Sequence, residues 1–100
     1  MNEIANLISE LRIRNREYRS QIEMRTIQGT IQSRFCTNVV EIACSLAELA
    51  ILENRTISGE ERYWFGGGYT FSFEFSGGDY QVILDLYTEL IWKLKEFNIL

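Results

Sequence analysis

The sequence predicts an α+β domain: a long N-terminal helix, a central helix and a C-terminal helix packed on a small antiparallel sheet built around a 61–75 β-hairpin. Three observations carry that prediction. From Tyr69 the pattern alternates, with Tyr69, Phe71, Phe73 and Phe75 on one side and Thr70, Ser72, Glu74 and Ser76 on the other. Neighbouring side chains of a strand point to opposite faces, so this spacing gives one aromatic and one polar face. The run is bounded by Gly66-Gly67-Gly68 and by Ser76-Gly77-Gly78-Asp79, which read as turns. The flanking sequence carries apolar residues at helical spacing, able to cover an aromatic sheet face.

With 100 residues the chain is expected to be a single domain, 1–100. Apolar residues make up 46 % and there is no proline, which places the chain among globular sequences without a hinge or linker. The longest weakly charged run, Cys36 to Leu52, carries Glu41 and Glu48, so no membrane span is expected. Cys36 and Cys44 on one helix would stand about 12 Å apart, too far for a disulfide. A reducing cytoplasm is the expected compartment.

In chain order, Asn2 to about Glu23 reads as a helix, with Asn2 as cap and Ile4, Leu7, Ile8, Leu11, Tyr18 and Ile22 as its stripe. Asn15 interrupts that stripe. It reads as an edge-of-core side chain, with register setting in a paired helix as the alternative. Residues 25–35 fit both periods, and their β-branched content with Gly29 tips the reading to a strand. Asn38-Val39-Val40-Glu41 has the form of a capping box, from which the central helix runs to about Asn54. Thr56 to Gly59 reads as a turn, Glu61 to Phe65 as the first hairpin strand and Tyr69 to Phe75 as the second. Asp79 is placed as N-cap of the last helix, whose stripe is Ile83, Leu86, Tyr87, Leu90, Leu94 and Phe97. A competing reading makes Tyr80 to Leu84 a third strand, and Asn98-Ile99-Leu100 either fray or dock.

The chemistry available is limited. There is no histidine, which removes the commonest general base and metal ligand, and two cysteines eight apart match no zinc spacing. No enzyme activity, metal or cofactor is expected. The glycine clusters lack the lysine and spacing of phosphate-binding loops. Aromatic residues beside arginine have the composition of binding hot spots, so Tyr63, Trp64 and Arg62, with the acidic Glu60, Glu61, Glu74 and Asp79, form the candidate partner-binding set.

Charge points the same way. Residues 1–34 hold six arginines against four glutamates, and residues 35–100 hold four basic residues against ten acidic ones, for a net charge of −4. The arginines alternate with glutamates too closely to make a nucleic-acid footprint. The expected function is a small acidic protein that sequesters or inhibits a basic protein partner, of the kind found among immunity proteins and phage anti-defence inhibitors. One alternative is a small-ligand binder that takes a nucleotide-like molecule at the aromatic, glycine-rich hairpin. Another is a homo-oligomer joined through the N-terminal helix.

Overall fold

The computed structural model describes residues 2–23, 30–66 and 78–100. They form α1 (Asn2–Glu23), α2 (Thr30–Leu52), a 3-10 turn (Glu61–Phe65) and α3 (Gly78–Glu96). Among the described residues there is no strand. The expectation of an α+β fold is therefore corrected: the described chain is all-α. The second hairpin arm, Tyr69 to Phe75, lies outside the described residues.

Each departure has a physical reason. Residues 30–35 belong to α2, not to a strand. In the sequence Ile31 and Phe35 continue backwards the apolar spacing of Val39, Ala43 and Ala47, and extending a helix that is already nucleated, one hydrogen bond per residue fixed, overrides a propensity difference of about 0.5 kcal/mol per residue. Asn38 is consequently inside the helix and caps nothing. Asp79 lies in the first turn of α3, which starts at Gly78, and residues 80–84 are helical rather than extended.

α1 and α2 run antiparallel, because Asn15 meets Thr37, Arg12 meets Ser45 and Arg16 meets Glu41. α1 is antiparallel to α3 as well: Glu3 reaches Lys93, and the rings of Tyr18 and Tyr80 lie 5.2 Å apart. α1, rather than the expected α2, is thus the helix whose backbone lies close to both others. Its buried stripe is Ile4, Ile8, Leu11 and Asn15. α2 contributes mostly small buried residues, among them Ala43, Cys44, Ala47 and Ala50, and α3 contributes Tyr80, Ile83, Tyr87, Leu90 and Leu94. Fully burying one of the larger aliphatic side chains contributes about 1.5–3 kcal/mol.

Asn15 is fully buried, not at the core edge, and its Nδ2 donates to the carbonyl of Thr37 at 2.9 Å. Among the described residues its Oδ1 meets no donor. An amide that costs about 1–3 kcal/mol when half satisfied makes other alignments of α1 on α2 costlier still, so the register it sets lies within the chain.

α2 and α3 end the same way. Asn54 (φ 53°) and Asn98 (φ 58°) adopt the left-handed conformation. Asn54 N–H donates to Ile51 and Arg55 N–H to Ala50, and at the second end Asn98 N–H donates to Lys95 and Ile99 N–H to Leu94. These are Schellman caps, with asparagine tolerating the conformation that usually selects glycine. The end of α2 near Asn54 agrees with the sequence reading. The final residues dock: Ile99 is buried and its carbonyl accepts the Ile57 N–H at 2.7 Å.

Candidate functional site

Two surfaces carry candidate residues: the corner that holds the expected site, and the outer face of α3.

At the corner, Ser58-Gly59-Glu60-Glu61 forms a reciprocal capping box. Ser58 Oγ accepts the Glu61 N–H at 3.2 Å and Glu61 Oε1 accepts the Ser58 N–H at 2.9 Å. Arg55 completes it with a two-pronged contact, Nη1 to Glu61 Oε1 at 2.8 Å and Nη2 to Oε2 at 3.2 Å, and its Nε donates to Glu53 at 2.6 Å. These local bonds explain why Glu61–Phe65 winds into a 3-10 turn instead of the expected strand. They satisfy the helical N-terminus in sequence, whereas the β-preference of Tyr-Trp-Phe needs a neighbouring strand to act on.

The hydrogen bonds from Arg55, and next the Ser58 N–H, hold the Glu61 carboxyl down at about 2. The same pairing raises the Arg55 guanidinium above its ordinary value.

Of the expected partner-binding residues, Glu60, Glu61, Arg62, Tyr63 and Trp64 share this turn. Glu61 is engaged in its cap and its ion pair, so it is a structural residue here. Glu60 and Arg62 are exposed. Tyr63 is 55 % exposed and stands edge-on to Trp64, with centroids 5.2 Å apart. Trp64 is half-buried, Phe65 is buried, and the Trp64 carbonyl accepts the Tyr87 hydroxyl. Glu74 and the side chain of Asp79 lie outside the described residues. The hairpin expected to capture a ligand has a 3-10 turn in place of its first arm.

The outer face of α3 has a different character. Val82, Asp85, Glu89, Trp92 and Glu96 recur at spacings of three and four on the side away from Ile83, Leu90 and Leu94, and all five are exposed. Trp92 is 65 % exposed, the Lys95 ammonium lies 5.9 Å from its ring centroid, and Gln81 Nε2 donates to Asp85 at 2.8 Å. Lys93 is shared between Glu3 at 3.3 Å and Glu96 at 3.2 Å, and these contacts, Glu96 first, raise its pKa. Sequence reasoning missed this face. The signal was present: Trp92 falls midway between Leu90 and Leu94, hence on the opposite side of the helix from both.

Buried titratable groups are held neutral. Desolvation pushes the Cys44 thiol up to about 12 and raises Tyr80 and Tyr87 above the usual tyrosine value. A thiol so shifted is the opposite of an activated nucleophile. Cys36 and Cys44 are both buried and do not form a disulfide. Among the described residues no group of three or more metal-ligating side chains converges, and no helix is long and apolar enough to cross a membrane.

No protein-family model, curated protein or solved structure matches the chain.

Proposed function

We propose that this chain is a non-enzymatic binding protein that sequesters or inhibits a basic protein in the cytoplasm, and that the outer face of α3 makes the contact. The observation that carries the reading is Trp92, 65 % exposed on a helix face it shares with Asp85, Glu89 and Glu96. A large aromatic left in water has a cost that a partner relieves, and tryptophan leads the residue types that dominate interface energetics. The surrounding carboxylates steer a positively charged partner toward it. Lys93 is occupied by two carboxylates, which leaves Lys95 as the exposed cation among the named residues of this face. Tyr63, exposed on the neighbouring turn, supplies a second aromatic. The absence of histidine and the suppressed reactivity of Cys44 support binding without catalysis.

The test is affinity capture of the tagged chain from its native host, followed by binding measurements on the recovered partner. A basic polypeptide whose affinity falls steeply between low and high salt, and again with Trp92→Ala, is the expected result. Binding that ignores both salt and Trp92→Ala would sink the reading.

A further inference from the structure

The antiparallel pair α1 and α2 carries a second exposed surface that the partner reading does not use. Between the helices run two adjoining hollows of about 410 and 430 Å³, both bordered by Ala5, Ile8, Arg12 and Glu48. Leu49 and Leu52 stand at one end and Ile13 at the other. Leu52 is 82 % exposed, and Leu49 and Ile13 are exposed as well. Three large aliphatic side chains in water around one groove exceed the scattered singles of an ordinary surface.

Charge identifies the occupant. Arg12 bonds Ser45 and pairs with Glu48 and Glu41, and Arg16 pairs with Glu41 at 3.3 Å. Two arginines therefore meet two glutamates here, and the face is balanced on a molecule of net charge −4. A basic protein has no electrostatic reason to choose it over α3. A second copy of this chain, repelled by the acidic surfaces, can approach here without like-charge juxtaposition.

We propose that the α1–α2 groove is the interface of an isologous dimer of this chain. A two-fold axis along the groove lays α1 of each copy over α2 of the other. Leu52 then enters beside Ala5 and Ile8 of the second copy, and each copy's Arg12 and Arg16 face glutamates of its mate. Such self-complementarity is what a closed two-fold contact requires. Asn15 takes no part, since its side chain is fully buried inside the chain.

Sedimentation velocity on the purified chain up to about 1 mM, the weak end of specific association, tests the interface. The wild type is expected to move with dilution between twice the 11.7 kDa chain mass and the chain mass itself. Leu52→Asp, at a side chain outside the core, is expected to weaken the dimer about tenfold or more with the helical circular dichroism unchanged, while Trp92→Ala leaves it intact. A chain that stays monomeric at the highest concentration overturns the proposal. So does a dimer indifferent to Leu52→Asp, or one abolished by Trp92→Ala instead.

Discussion

The outer faces of α3 and of the α1–α2 pair are built from the same kinds of residue, carboxylates and exposed apolar side chains, yet they differ in what the charges do. On α1–α2, Arg12 and Arg16 are tied to Glu41 and Glu48. On α3, Asp85 and Glu89 share the exposed face with Trp92 and make no ion pair among the described residues, with Lys95 the cation beside the ring. The difference shows why an exposed apolar residue alone says little about a partner. Whether the neighbouring charges are internally paired decides which molecules the face can approach. Paired, they permit a like-charged copy; unpaired, they select the opposite sign.

The sharpest way to break this comparison is Trp92→Ala. It is expected to weaken the basic partner by about thirtyfold or more, the scale of a hot-spot tryptophan, and titration calorimetry reads it directly. The melting temperature should hold, because the side chain lies outside the core. Next in size, Glu89→Lys should slow association with the partner about tenfold at low salt, and stopped-flow measurements at high salt should find the difference gone. Glu48→Lys, the matching change on the paired face, should leave that association rate alone. If Glu48→Lys slows it equally, the two faces are not distinct.

Smaller effects concern the frame that holds the faces. Ser58→Ala removes the cap of the 3-10 turn and should lower the unfolding free energy by about 1 kcal/mol in urea titration. The pH dependence has a definite sign. The folded Glu61 carboxyl lies near 2 against an ordinary 4.5, so its contribution is fully present above the ordinary value. It is lost as the pH falls through the folded one. The urea midpoint should decline from pH 5 toward pH 2, and Glu61→Gln should flatten its share of that decline. Because Glu61 and Arg55 meet where both side chains remain partly exposed, salt should shrink the effect.

The three helices and the C-terminal end of α2 were legible in the sequence, whereas the start of α2 at Thr30 was not. The stripe of Ile4, Ile8 and Leu11 and that of Ile83, Tyr87, Leu90 and Leu94 repeat at helical spacing, and one periodic face is enough to place a long helix. Two misreadings share a cause. Asn38-x-x-Glu41 and Ser58-x-x-Glu61 have the same capping form, but only the second follows a helix that has ended, at Asn54. An N-cap needs a non-helical residue, and Asn38 follows Ile31 and Phe35, whose spacing already belongs to α2. Tyr-Trp-Phe read as a strand because its β-preference is visible locally, while the Arg55 contact that favours the turn spans six residues and is not. Of the expected site, Tyr63 is exposed as an interface requires and Glu61 is consumed. Trp92 was hidden by attention to the core side of its helix.

The bond from Ile57 N–H to the carbonyl of Ile99 has a consequence for how the molecule opens. It fastens the approach to the 3-10 turn onto the residue that closes the cap of α3, while the Tyr87 hydroxyl holds the far end of that turn. The turn cannot lift away unless both ties to α3 release. In hydrogen-exchange terms the amide of Ile57 should exchange together with that of Ile99, as one cooperative unit. The aromatic at Tyr63 and the last turns of the helix that bears Trp92 would then be loosened, or clamped by a bound protein, in a single event.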